Sequence, residues 1–361
     1  MDFIKHFSAI TDYRDQTKIS HLLTDMVGLC LLGAIANCDD YQEIEDFGNR
    51  HQAWLRTYLL LPNGIPSHDT LERLFIHINP IEFNRCFIEW VRVIFELTNE
   101  QLLHIDGKSN RRSMDNYSGK KMLHSVSVFA GKNKLSLSQY MVDEKSNEIT
   151  AIQPLLETLD IKEKTITIDA MGCQKEIAEY IADKQAYYIL AVKDNHKTFH
   201  QEIKNAFNKQ EIADKTSTLE KDHGRIEERT CSIITDLRFI DESVNWKALY
   251  CIIQLVSSRT LGGVTSTETR YFISNNKQHA RFFINAIRSH WQIENSLHWV
   301  LDVIFKEDLC RKRKGYAAEN FNLIRKMALN IIRHKKDKKS IKRRRKEAAA
   351  SNQYISDLLK F

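Results

Sequence analysis

Three acidic residues, far apart in the sequence, have the types and settings of a metal-dependent site that acts on phosphates. Asp106 and Asp169 each follow an isoleucine at the end of a strand-like segment, LLHID at 102–106 and TITID at 165–169. Glu294 lies much later, in the stretch HWQIENSLHW at 290–299. Carboxylate oxygens suit Mg²⁺ or Mn²⁺. Two strand-end aspartates and one late glutamate therefore predict a nuclease-type site.

The segments around the two aspartates predict the elements that position them. Alternating or β-branched residues predict three antiparallel strands at Leu102–Asp106, His124–Ala130 and Leu135–Val142, with a hairpin connection at 131–134. Helix, strand, helix and strand follow at Glu148–Leu159, Thr165–Asp169, Gln174–Lys184 and Tyr187–Val192. The order β-β-β-α-β-α-β is that of the ribonuclease-H-like α/β fold, which carries carboxylates on its first and fourth strands. Because ligand sites form where such parallel strands end, Asp106 and Asp169 are predicted to lie side by side.

A long amphipathic helix from about Gln278 to Phe305 is predicted to carry the glutamate. Glu294 and His298 recur at helical spacing on one stripe, and the neighbouring stripe is apolar (Ile293, Leu297, Val300, Ile304). Packing of that apolar stripe on the sheet would bring Glu294 to the strand ends. His298 fits either a packed histidine or a functional one. A zinc site made of His290, Glu294 and His298 is disfavoured, because ligands two helical turns apart do not meet at one ion.

The rest of the chain predicts two further parts around this core. Residues 1–97 show apolar residues at helical spacing, with Ser67 or Asp69 as a helix cap, and predict an all-helical domain. Such helices fit either ordinary packing or a DNA-binding helix-turn-helix. Residues 98–310 form the core, interrupted at about 209–276 by a β-rich insertion. Residues 311–361 form a basic helical segment and tail.

Charge is distributed unevenly along the chain. Between positions 311 and 346, 16 Lys and Arg residues stand against two acidic residues, a local charge of +14 that leaves −8 elsewhere in a chain of net charge +6. A basic C-terminal segment on a mildly acidic body fits either a polyanion-binding appendage or a solvated tail.

Composition indicates a folded chain of the intracellular type. The 361 residues are 42% hydrophobic and suffice for more than one domain. The longest apolar run, 26–36, is too short for a membrane span, and no secretory signal opens the chain. Seven scattered cysteines without a Cys-x-x-Cys pair fit neither a disulfide framework nor a thiolate zinc site. We expect a cytoplasmic protein with no membrane partner.

Several motifs resemble those of one family. The segment HWQIENSLHWVLDVIFKED at 290–308 is similar to the glutamate region of bacterial DDE transposases of the H-repeat-associated (ISAs-type) insertion-sequence family. Asp106-Gly107-Lys108 and Asp169-Ala170 resemble the two aspartate motifs, and HGRIEER at 223–229 resembles another. The wider transposase group often places Tyr, Arg and Lys at −7, −4 and +7 from the glutamate. This chain has Ile287, His290 and Leu301 there.

The resemblance implies metal-dependent cleavage and strand transfer at insertion-sequence ends. Asp106 would bridge two Mg²⁺ or Mn²⁺ ions, while Asp169 and Glu294 would each complete one ion's ligands. The partner would be double-stranded DNA with terminal inverted repeats, bound by a homodimer in a synaptic complex at the bacterial nucleoid. An inactive or domesticated DNA-binding protein and a nuclease without strand transfer are the alternatives.

Basic residues near the three carboxylates are the candidates for contacts with DNA phosphates, because Arg and Lys supply most such contacts. These candidates are Lys108, Arg111, Arg112, Lys193, His223, Arg225, Arg288, His298 and Arg311.

Overall fold

One mixed β-sheet runs through the protein. The computed structural model describes residues 2–94, 100–110, 123–142, 148–222 and 224–360. The strands are β1 (Leu102–Asn110), β2 (Leu123–Ala130), β3 (Leu135–Val142), β4 (Thr165–Ile168), β5 (Tyr187–Val192), β6 (Asp214–Asp222), β7 (Arg225–Ile234), β8 (Cys251–Leu261) and β9 (Val264–Ser274). They form a nine-stranded sheet in the order β3-β2-β1-β4-β5-β9-β8-β7-β6.

The helices surround this sheet. They are α1 (Leu23–Ile35), α2 (Tyr41–Leu55), α3 (His68–His77), α4 (Pro80–Ile94), α5 (Glu148–Glu157), α6 (Lys175–Asp183), α7 (Lys197–Lys209), α8 (Ala280–Gln292), α9 (Trp299–Val303), α10 (Ala317–His334), α11 (Ile341–Ala350) and α12 (Asn352–Leu358). A π-helical turn at Ile293–His298 joins α8 to α9. No helix in the described part of the chain has both the length and the apolar character that crossing a membrane demands.

The first five strands confirm the predicted ribonuclease-H-like core. β1, β2 and β3 pair antiparallel in sequence order, while β4 pairs parallel with both β1 and β5. α5 and α6 supply the crossovers that parallel strands need. All four residues of β4 are buried, as expected for a central strand covered on both faces.

The β-rich region after α7 extends this sheet. β9 pairs antiparallel with β5, and β8, β7 and β6 follow outward. β6 is an additional strand. The sequence of this segment is mostly polar and does not predict a strand. β6 is an edge strand without a buried residue in its described part, so its sequence, DKTSTLEKD, carries no apolar alternation.

The N-terminal region is helical, as predicted. α1 is apolar on every side and almost entirely buried, which is typical of a central helix. Ser67 caps α3 by accepting a hydrogen bond from the Thr70 backbone N–H. Buried apolar side chains of these helices and of the strands belong to one continuous cluster, so the core crosses the domain boundary predicted at 97.

Part of the C-terminal basic segment lies inside the protein, which differs from the expected appendage. α10 packs against α1, α3, α4 and β3. Arg325, Lys326, Arg344 and Arg345 are buried. Arg345 donates to the backbone oxygens of Ala34 and Ile304 and pairs with Asp39. Many of the basic residues therefore stabilise the fold, because helix–helix packing has taken them out of solvent.

Candidate active site

Asp106 and Asp169 lie next to each other at one edge of the sheet. In the parallel pairing of β1 with β4, Ile105 is the partner of Ile168, and each aspartate is the next residue along its strand. The backbone N–H of Gly107 donates to Asp106 Oδ1 at 3.0 Å. The backbone N–H of Gly172 donates to Asp169 Oδ1 at 3.2 Å. The β1/β4 register therefore brings the two carboxylates together.

Glu294 reaches the same place from the helix above. It lies in the π-helical turn after α8, where the backbone N–H of Trp299 bonds to the Glu294 carbonyl. Such turns add one residue to a helical turn and are frequent at functional sites. The apolar stripe of Ile293, Leu297 and Val300 is buried, as predicted, whereas the Glu294 side chain is 60% exposed.

His298 lies between the carboxylates of Glu294 and Asp106. Its Nδ1 lies 3.1 Å from Glu294 Oε2 and 3.5 Å from Asp106 Oδ2. One ligand atom from each of Asp106, Glu294 and His298 lies within 4.8 Å of the others. His298 is only 3% exposed, so its ring faces the carboxylates from inside the protein. This burial argues against the predicted contact between His298 and DNA phosphate.

Burial and nearby charges shift the pKa values of Asp106 and Glu294, the two carboxyls beside His298, in opposite directions. Burial, opposed by His298 and reinforced by the charges of Asp169 and Glu294, raises the pKa of Asp106 to about 6. The hydrogen bond from His298 lowers the pKa of Glu294, which is far more exposed. Crowded carboxylates of this kind favour a bound cation, because a positive charge relieves their mutual repulsion.

A buried hydrogen-bonded layer lies directly beneath the aspartates. His104 and Thr167 are two residues before Asp106 and Asp169, so each shares a face of the sheet with its aspartate. Thr167 Oγ1 lies 2.6 Å from His104 Nδ1 and 2.7 Å from His290 Nδ1. His104 Nε2 lies 2.9 Å from Ser289 Oγ. The layer fixes α8 on the sheet.

Both histidines of this layer are neutral near pH 7. Burial lowers the pKa of His104 to about 3 and that of His290 to about 4. Because His290 is bound to Thr167, it takes no part in the cluster of Asp106, Glu294 and His298. The sequence analysis does not select His104. Its place two residues before Asp106, on the same face of β1, is the sequence feature that could have identified it.

Lys108 is positioned for an internal role. Its Nζ contacts both Asp302 and Glu307, and the Lys108 and Glu307 side chains are only 9% and 2% exposed. Asp302 and Glu307 follow Glu294 along the chain, within the motif at 290–308. The ion pairs therefore tie β1 to the end of the helix that carries Glu294. They leave the ammonium group engaged, which argues against the predicted DNA contact by Lys108.

Glu148, at the start of α5, is a further carboxylate of the site that sequence analysis does not select. A Cβ atom at Gly107 would lie 2.3 Å from Glu148 Oε2, so the glutamate occupies the space that a side chain would need. Burial and the charge of Asp169 raise the pKa of Glu148. A side chain at position 107 would therefore have to displace the Glu148 carboxylate.

A cavity of about 290 Å³ opens beside the carboxylates. Asp106, Asp169 and Glu294 line it together with Lys193, Arg270 and Trp291. The Arg270 guanidinium stands 4.5 Å from the centroid of the Trp291 ring. Lys193 is exposed, so the predicted phosphate contact at this residue has room to form.

The remaining candidates for DNA contact have varied settings. Arg288 forms a bidentate pair with Glu220, and Arg225 pairs with Glu227 at 2.8 Å. Arg311 is exposed. Arg111, Arg112 and His223 lie outside the described residues.

Comparisons with known proteins identify the family of this chain. A family model described as "Transposase DDE domain" matches residues 97–331, and one described as "DDE_Tnp_1-associated" matches residues 4–91. The chain is 43% identical to the putative transposase YncI of Escherichia coli O157:H7, over 99% of this chain and 94% of that protein. It is 39% identical to the H repeat-associated putative transposase YhhI of Escherichia coli K12, over 99% of this chain and 97% of that protein.

A solved structure is also similar, at lower identity. The piggyBac transposase synaptic complex with hairpin DNA aligns with a TM-score of 0.44 and 12% identity, over 99% of this chain and 81% of that chain. The family assignment depends on the sequence matches, which extend over nearly the whole chain. This chain belongs to the DDE transposase family, in the group of the H repeat-associated transposases.

Proposed function

We propose that this transposase is catalytically active and that it cleaves and joins DNA strands at the ends of an insertion sequence. Asp106, Asp169 and Glu294 are the proposed catalytic carboxylates. The observation that carries the proposal is the convergence of all three on one cavity from β1, β4 and the turn after α8. That cavity also contains the exposed cationic group of Lys193, which suits a phosphate.

The residues present fit divalent cations of the Mg²⁺ or Mn²⁺ type. Asp106, Asp169 and Glu294 offer carboxylate oxygens, and the burial of Asp106 among other acids favours a positive charge beside it. Two bound ions activate a water or a 3′-hydroxyl and stabilise the leaving oxygen at phosphorus. Asp106, next to Asp169 and close to Glu294, would hold these ions together with those two carboxylates.

The protein supplies the positioning in this proposal. The hydrogen bonds of Thr167 with His104 and His290 fix α8 on the sheet, and Lys108 fixes the segment after Glu294. Lys193 orients the scissile phosphate. The partner is double-stranded DNA with terminal inverted repeats, and two copies of the chain pair the two ends. Such DNA places the protein at the nucleoid in the bacterial cytoplasm.

The test is cleavage by the purified protein of DNA that carries the element's own terminal inverted repeats, in the presence of Mg²⁺. We expect cuts at the element ends, and we expect Asp106→Asn to abolish them while DNA binding is retained. Asp236→Asn is the matched control, because Asp236 pairs with Arg238 on the protein surface. Substantial cleavage by Asp106→Asn would contradict the assignment.

Two other outcomes of this cleavage experiment would support the alternative functions. Nicking without preference for the ends would indicate a nuclease. End-specific binding without cleavage under any divalent ion would indicate a DNA-binding protein that has lost catalysis.

A further inference from the structure

His298 has an unusual set of contacts for a buried histidine. Its Nδ1 is near Glu294 Oε2 and Asp106 Oδ2, at 3.1 and 3.5 Å. Its Nε2 is buried and has no hydrogen-bond partner among the described residues. All the polar contacts that the structure describes for this ring therefore involve two proposed metal ligands. Leaving Nε2 unpartnered costs free energy, and the contacts of Nδ1 with the two carboxylates are the polar contacts of this ring that the structure describes as offsetting that cost.

His290, eight residues earlier, shows the contrast. It is a half-buried histidine on the same continuous helix, and its Nδ1 bonds to Thr167, outside the carboxylate cluster. Among the described contacts, His290 bonds to a hydroxyl outside the cluster, whereas the polar contacts of His298 are with two carboxylates of the cluster. The π-helical turn separates the two histidines and carries both Glu294 and His298.

We propose that His298 is a nitrogen ligand, through Nδ1, of the cation held by Asp106 and Glu294. This inference rests on the proposed function and extends it to the choice of metal. Imidazole suits first-row transition ions, whereas Mg²⁺ binds through oxygen atoms. A site with two carboxylates and one imidazole therefore selects Mn²⁺ over Mg²⁺. His298 binds a metal and makes no contact with DNA phosphate.

Pulsed electron paramagnetic resonance of Mn²⁺ bound to the full-length protein tests this ligand directly. We expect a ¹⁴N coupling to the bound Mn²⁺, which changes to the ¹⁵N pattern when the protein is made with ¹⁵N-labelled histidine. The His298→Asn variant should lose the coupling. Its Mn²⁺ affinity should fall at least about tenfold, since even indirect partners of metal ligands contribute that much, while its Mg²⁺ affinity changes far less.

The matched control is His290→Gln, which removes a neighbouring half-buried imidazole that is bound to Thr167. This variant should retain the ¹⁴N coupling. Circular dichroism checks that each variant is folded. If His298→Asn does not fold, the ¹⁵N-histidine measurement on the unmodified protein, together with His290→Gln, still decides the question.

The outcomes separate this inference from the proposed function. Mn²⁺ binding that depends on Asp106 but shows no nitrogen coupling would overturn the role of His298, which would then only hydrogen-bond Glu294. The proposed carboxylate site would stand in that case. Mn²⁺ binding that is unaffected by Asp106→Asn would instead contradict the proposed function itself.

Discussion

Lys108 and Glu307, 199 positions apart, form a buried ion pair beside the active-site carboxylates. Lys108 is two residues after Asp106 on β1, and Glu307 is 13 residues after Glu294. The pair therefore connects the strand of one proposed catalytic carboxylate to the helical segment of another. Asp302 is a second partner of the same ammonium group.

Lys108→Met should lower both stability and cleavage, because it leaves Glu307 buried without its cation. Breaking a buried ion pair from one side typically costs about 3–5 kcal/mol. Urea unfolding measures this destabilisation, and Lys215→Met on the exposed edge strand β6 is a control expected to change stability by less than about 0.5 kcal/mol. The affinity for DNA should stay the same. A large drop in that affinity, with unchanged stability, would return Lys108 to the role of phosphate contact.

Gly107→Ala should displace Glu148 from the position it now occupies. The added Cβ would lie 2.3 Å from Glu148 Oε2 and 2.4 Å from its Cδ, closer than real contacts allow. Because these atoms are the far end of a flexible side chain that can shift, the cost should lie at or below the lower end of the range for overpacking, about 1 kcal/mol. The double variant Gly107→Ala with Glu148→Ala removes the clash and should recover most of the stability of Glu148→Ala alone. Equal destabilisation with and without Glu148, measured by urea unfolding, would mean that the glycine serves another purpose.

Sequence patterns correctly predict the features that depend on residues close together in the chain. Strand alternation before Asp106 and Asp169 predicts the core topology, and the apolar stripe around Leu297 predicts the buried face of the late helix. A glutamate on a helix has no local pattern that marks it as functional. The identification of Glu294 therefore also depends on the motif at 290–308.

The features that sequence analysis misses depend on contacts between distant segments. Nothing near Lys108 indicates that Asp302 and Glu307 converge on it. A count of charges cannot distinguish the fully buried Arg345 from an exposed arginine. The strand β6 gives no signal because an exposed edge needs no apolar side chains. In each case tertiary packing, and not the local pattern, decides the outcome.

Lys326 should make the stability of the protein depend on pH above neutrality. Burial lowers its pKa to about 7 from 10.5, while the neutral amine bonds to Ser127 and Gln139. Between these two values the unfolded chain binds a proton that the folded chain does not, so stability rises with pH by up to about 1.4 kcal/mol per unit. Lys326→Met should remove this contribution. Urea midpoints at pH 6 to 9 measure the difference between the two proteins, and parallel curves would contradict the prediction.

The exposed basic residues after α10 should contribute to DNA affinity, although part of the segment is internal. Deletion of the segment is a poor test, because Arg344 and Arg345 hold the backbone oxygens of Ile332, Ala34 and Ile304. Four exposed lysines can be changed instead: Lys336, Lys338, Lys342 and Lys346.

Replacing these four lysines with glutamine should weaken binding to DNA of any sequence and leave the fold intact. Each ionic interaction with a phosphate that is removed lowers the slope of log affinity against log salt by about 0.9, so removing four would lower it by about 3.6. Filter binding or fluorescence anisotropy over a range of salt concentrations measures the slope. Four glutamines in place of the exposed residues Lys209, Lys215, Lys221 and Arg259, on α7, β6 and β8, provide a charge-matched comparison on another surface. An unchanged slope in the first variant would show that the DNA does not contact this part of the protein, and that its positive charge acts only within the fold.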